Sequence, residues 1–130
     1  MTRYSPSEAA QRSGFSLDTL RYYERIGLLT GVHRTAGGQR VFSDDDLGWL
    51  GVLRCLRDTG MPIAQMCRYA ELGRAGDHTI AERLDLLREH AEQVQADLDR
   101  TLRHQRYLHD KIAHHQHDLA TRSEANRPAG

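Results

Sequence analysis

The longest pattern in the chain is a heptad. Between Asp77 and Arg127 there is neither glycine nor proline. From Ile80 onward, positions 80, 84, 87, 91, 94, 98, 101, 105, 108, 112, 115 and 119 advance by alternating steps of four and three. Nine of these twelve are apolar: Ile80, Leu84, Leu87, Ala91, Val94, Leu98, Leu108, Ile112 and Leu119. Such spacing keeps one stripe of a helix turned toward a neighbour, the pattern of a coiled coil. A helix of this span is roughly 60 Å long at about 1.5 Å per residue. The short elements upstream cannot cover so long a seam, so the pattern predicts a partner strand, most simply the same helix of a second copy. Thr101, Gln105 and His115 interrupt the seam, and polar residues at such positions set register.

Upstream of residue 77 the apolar runs are short and closely punctuated. Ser5, Pro6 and Glu8 form a capping box that starts a first helix, which Ser13 and Gly14 end. Ser16 caps a second helix, LDTLRYYERIG, which Gly27 ends. Helix, glycine turn, helix is a helix-turn-helix pattern, although a small helical bundle used only as a scaffold shows it too. The segments 32–35 and 39–42 flank Ala36, Gly37 and Gly38 and read as a hairpin, a two-stranded wing. Ser43, followed by three aspartates, caps a third helix that runs to Thr59 and Gly60. A fourth helix is predicted over 62–72.

The predicted fold is mainly α: a winged helix-turn-helix domain over 1–72, a linker over 73–76, a dimerising helix over 77–119 and a disordered tail over 120–130. Composition narrows the function classes. With aromatics at 6% and a mean hydropathy of -0.68, a large globular core is excluded and burial against a partner is favoured. The net charge of zero gives no global attraction for nucleic acid and leaves only a local patch to supply it. Neither Cys55 nor Cys67 lies in a zinc or disulfide spacing. The amino terminus has no apolar signal core, and no run approaches the ~18 apolar residues of a membrane span. A cytoplasmic, reducing setting is expected, with no membrane contact, no resident metal and no cofactor. No carboxylate pair, Ser/His/Asp set or phosphate loop is present, which argues against an enzyme and leaves no catalytic residue to name.

Candidate DNA-binding chemistry gathers at the second helix and the wing. Ser16, Thr19, Arg21, Tyr22 and Tyr23 lie at or near the start of that helix, where groove-reading helices present donors to base edges and phosphates. Arg34 and Arg40 stand on opposite strands of the wing, with Gln39 beside the turn. The competing reading makes the tyrosines packing residues and the arginines solvated surface.

The segment LRYYERIGLL (20–29), followed by Arg34 and Thr35, then by Gly38, Gln39, Arg40, Val41 and Phe42, then by Ser43 to Leu47, resembles the MerR family of bacterial transcription regulators. The likeness runs continuously from residue 3 to about 72, and the long helix stands where family members dimerise. The resemblance implies an antiparallel coiled-coil homodimer on a pseudo-palindromic promoter in double-stranded DNA. Family members bend and untwist that promoter so that RNA polymerase engages both of its elements. By position, Ser16, Thr19, Arg21 and Tyr22 fall in the recognition helix, Tyr23 near the DNA backbone, and Arg34 and Arg40 in the wing. Gln39 replaces the tyrosine that usually precedes the wing arginine, so an aromatic prop is missing while an amide donor remains.

The family's effector classes divide by cysteines and by appended domains. The cysteine sets of metal sensors and of iron–sulfur sensors are absent after Cys67, and about ten tail residues leave no room for a drug-binding domain. His104, His109, His114, His115 and His117 read as a solvated helix end. The segment LRCLRDTGMP with RYAEL (68–72) resembles the short branch that responds to aldehydes and nitrosative stress, which carries a single cysteine in this helix. Gly48, Gly51 and Cys55 form a small-residue stripe opposite the apolar face of the third helix. Arg54 and Arg57 favour a thiolate at Cys55, and Asp58 opposes them. Cys55 is therefore the candidate effector-sensing residue, with a close-packing role as its alternative; Cys67 reads as structural. A non-covalent small-molecule regulator of the same fold, and a coiled-coil adaptor, are the remaining readings.

Overall fold

The computed structural model describes residues 2–126. They form β1 (Arg3–Tyr4), α1 (Pro6–Ser13), α2 (Leu17–Arg25), β2 (His33–Arg34), β3 (Arg40–Ser43), α3 (Asp44–Asp58), α4 (Ile63–Ala75), a 3-10 turn (Asp77–Thr79) and α5 (Ile80–Ala125). The chain separates into two units, residues 1–90 and 91–130.

A capping serine starts each of the first three helices. The Ser5 hydroxyl accepts from the Glu8 amide and the Glu8 carboxylate accepts from the Ser5 amide, both at 3.2 Å. Ser43 and Asp46 repeat this reciprocal cap at 3.1 and 3.0 Å, with an aspartate doing what a glutamate does in α1. The turn between α1 and α2 depends on Gly14, whose φ of 77° is strained for any side chain. Arg54 of α3 reaches across to donate to the Ser13 carbonyl at 3.4 Å, tying the turn to the next layer.

A three-stranded antiparallel sheet, in the order β1-β3-β2, closes one side. Its register pairs Tyr4 with Phe42 and Arg34 with Arg40. The sequence patterning predicted only the two wing strands; β1, at two residues, is too short to carry a period. Its Tyr4 hydroxyl donates to Asp44 at 2.8 Å, and that bond raises the tyrosine's pKa. The core lies among α1 to α4 and the sheet, where Leu28, Leu29, Phe42, Leu50, Leu53 and Met66 are fully buried.

Two boundaries differ from expectation. The expected linker over 73–76 is mostly helix, because α4 continues through Gly73 to Ala75. A helical glycine costs about 1 kcal/mol, and burial of Leu72 together with a bond from Arg74 to the Gly27 carbonyl (2.9 Å) outweighs it. The turn into α5 is centred on buried Thr79, whose hydroxyl lies 2.6 Å from the Leu72 carbonyl and 2.8 Å from that of Gly76. The tail expected to be disordered from 120 is helical through Ala125, since nothing before Pro128 breaks the helix; residues 127–130 lie outside the described residues.

Within the first unit, Leu86 and Leu87 of α5 pack partly against the core, and the Thr59 hydroxyl meets His90 Nε2 at 2.7 Å. Leu87, expected in the intersubunit seam, is thus partly occupied by its own domain. The second unit is the remainder of α5. None of the residues of α5 is buried, and Leu98, Leu108 and Ile112 are all at least half exposed. Leu102 is exposed as well and lies about 40° around the helix from Leu98. It widens the stripe where Thr101 and Gln105 interrupt it. Strict alternation of three and four passes it over.

Candidate nucleic-acid interface

α2 divides its side chains between the core and the surface. Leu20 and Tyr23 are buried, three residues apart on one face, while Arg21 and Tyr22 are exposed and Thr19 is half-buried. Tyr23, expected at the DNA backbone, is instead 3% exposed, with its ring edge-on to Phe15 at a centroid distance of 5.2 Å. Burial raises the pKa of its hydroxyl, opposed by the nearby Arg57 guanidinium. Its neighbour turns about 100° away on the helix, so only Tyr22 presents a ring to solvent. The Arg25 guanidinium lies 5.4 Å from that ring's centroid.

Ser16 acts first as a cap. Its hydroxyl accepts from the Thr19 amide at 3.1 Å and donates to Thr19 Oγ1 at 2.9 Å. It sets the start of α2 and orients Thr19. Arg21 pairs with Asp18 at 3.3 Å, a fully solvated contact that costs little to exchange for a phosphate.

The wing is joined to α2 by a residue that the motif reading passed over. Glu24 accepts from Arg34 Nη2 at 2.9 Å and from Arg40 Nε at 2.6 Å. Arg34 also donates through Nη1 to the Gly38 carbonyl at the wing tip, at 3.1 Å. Both wing arginines are therefore held by α2. Gln39 is exposed on the wing, where its backbone N–H donates to Thr35 Oγ1 at 3.2 Å. The carboxy-terminal turn of α2 is fixed from behind: Trp49 of α3 donates to the Leu28 carbonyl at 2.7 Å and stacks on Tyr69.

Cys55 is exposed on α3, and Cys67 is half-buried against the core. Gly48, Gly51 and Val52 share the exposed side of α3 with Cys55. The flanking guanidiniums belong to another cluster. Arg54 and Arg57 donate to Asp58 at 2.6 and 3.3 Å and lie 5.8 and 4.7 Å from the Phe15 ring centroid. The Arg54 bond holds the Asp58 carboxyl below its ordinary pKa. Asp58 stays ionised and offsets much of the positive charge expected to favour a thiolate.

At the far end of α5, His114 lies 3.4 Å from Asp118 along the same helix. Among the described residues no three histidine, cysteine or acidic side chains converge as a metal site, and no helix is long and apolar enough to cross a membrane.

Residues 4–71 match the profile of the MerR HTH family regulatory proteins. An HTH-type transcriptional regulator of Haemophilus influenzae is 40% identical over 113 residues, spanning 87% of this chain and 84% of the relative. The regulator AdhR of Bacillus subtilis is 32% identical over 88 residues, 68% of this chain and 63% of AdhR. Among solved structures, HiNmlR, a MerR family regulator lacking the sensor domain and crystallised on promoter DNA, superposes with a TM-score of 0.85. It is 39% identical, over 92% of this chain and 94% of that one.

Proposed function

The chain belongs to the MerR family of helix-turn-helix transcription regulators and is not an enzyme, and from that premise we propose that it works as a cytoplasmic homodimer that remodels promoter DNA. The observation that carries this is that exposed Arg21 and Tyr22, with half-buried Thr19, stand on α2 beside a wing clamped to the same helix. Recognition helix and wing then form one docking surface: α2 for the major groove, and Arg34, Gln39 and Arg40 for the flanking backbone. The zero net charge is no obstacle, because the cations are local.

Two such surfaces need a dimer. In this reading the stripe from Ile80 and Leu84 through Ala91, Val94, Leu98, Leu108 and Ile112 pairs antiparallel with that of a second copy. Each domain then faces one half of an inverted repeat. Bending and untwisting the DNA between the halves costs on the order of 1–6 kcal/mol, offset by backbone contacts from both wings. RNA polymerase is engaged through the remodelled promoter. Cys55, solvent-exposed on α3, is the point at which an aldehyde or another electrophile enters. The HiNmlR complex with promoter DNA and the likeness to AdhR support this reading.

Selection from a random duplex library with the purified protein tests the DNA reading. The expected outcome is enrichment of one inverted repeat. A library that stays unenriched after several rounds would sink it.

A further inference from the structure

Resting on the DNA-binding reading, we propose that Glu24 is a positioning residue that aims the wing arginines at the DNA backbone and sets the preference for specific over non-specific duplex. Its carboxylate takes Arg34 Nη2 at 2.9 Å on one oxygen and Arg40 Nε at 2.6 Å on the other. Arg40 is thus held by the inner edge of its guanidinium, and among the described residues its two terminal amino groups have no partner. A guanidinium fixed at Nε keeps its unpartnered Nη groups in one orientation, the arrangement suited to gripping a phosphate. Arg34 is fixed twice, by Glu24 and by the Gly38 carbonyl, which carries the orientation of α2 to the tip of the wing.

A carboxylate beside a phosphate-binding surface is unfavourable on charge alone, and partly exposed ion pairs add little to stability. Charge counting therefore predicts that removing Glu24 tightens DNA binding. Positioning predicts the opposite for a specific site, because two freed arginines sample many rotamers and must be ordered again on binding. It also predicts that non-specific duplex, which needs no register, is held as well or better, with a steeper salt dependence.

The test measures full-length wild type, Glu24→Ala, Glu24→Asp, Arg34→Ala/Arg40→Ala and the triple variant on two probes: the selected inverted repeat and a scrambled duplex of equal length. Glu24→Ala is expected to lose about tenfold on the repeat and nothing on the scrambled duplex, with Glu24→Asp recovering part of the loss. In the variant already lacking both arginines, Glu24→Ala is expected to cost nothing further. Equal or tighter binding of the repeat by Glu24→Ala overturns the assignment. So does a parallel loss on both probes, or an undiminished effect without the arginines. A wild type that does not discriminate between the probes overturns the DNA reading itself, and this assignment with it.

Discussion

Leu98→Asp is expected to turn the dimer into a monomer and to weaken operator binding by on the order of a thousandfold, since one half-site is lost along with its share of the affinity. Leu98 lies at the middle of the seam and is 51% exposed in the single chain. Covering a leucine contributes about 1.5–3 kcal/mol, and a symmetric seam counts each substitution twice. A carboxylate at that position not only forfeits this but must also be desolvated or leave the interface open. Among the described residues no other element of the second unit covers the helix, so the monomer should lose helical signal from this half of α5 as well. Tyr107→Asp is the control. Tyr107 is more exposed still, at 63%, but it lies about 180° around the helix from Leu98, so its variant should stay dimeric. Sedimentation of the two variants beside wild type separates the cases: a dimeric Leu98→Asp, or a monomeric Tyr107→Asp, contradicts the seam.

The second large effect concerns signalling rather than assembly. Cys55→Ser is expected to leave folding and operator binding within about twofold of wild type and to abolish transcriptional induction by formaldehyde, methylglyoxal or a nitrosothiol. Serine keeps nearly the same size and shape. The position is exposed, so no core contact is lost, and exposed substitutions of this kind usually fall within ±0.5 kcal/mol. The backbone carbonyl that the Thr59 hydroxyl uses, at 2.7 Å, is retained. What disappears is the sulfur nucleophile that an electrophile consumes. Because Asp58 already engages both flanking arginines, accessibility carries the argument more than activation by neighbouring charge. Unchanged induction in Cys55→Ser would remove the sensing role and leave this residue as packing.

Much of the fold was legible because it rests on local chemistry. Ser5, Ser16 and Ser43 announce helix starts through bonds that span three residues, and Gly14 marks a turn that needs positive φ. The regularity of the heptad likewise required no tertiary knowledge. What escaped depends on contacts between distant segments. Glu24 meets arginines ten and sixteen residues ahead, and nothing in the motif says that the carboxylate faces the wing. Gly73 was read as a helix end, yet Arg74 and Leu72 find partners that keep α4 wound beyond it.

Tyr23 is the instructive case. Its place near the start of α2 and its likeness to a motif both put it at the DNA backbone, whereas its three-residue spacing from Leu20 puts it on the buried side of α2. Periodicity is the better guide there, because residues three apart share one face of a helix and Leu20 is in the core. The proposed interface on α2 is correspondingly narrower: Thr19, Arg21 and Tyr22, beside wing arginines that Glu24 holds.

In the proposed complex two copies of this surface act together on one duplex, with the DNA between them deformed. A DNase I footprint of the wild-type protein on its selected repeat tests this most directly. The account predicts two symmetry-related protected tracts separated by hypersensitive steps, where bending opens the minor groove. A single protected tract, or uniform protection with no enhanced cleavage at the centre, would contradict it.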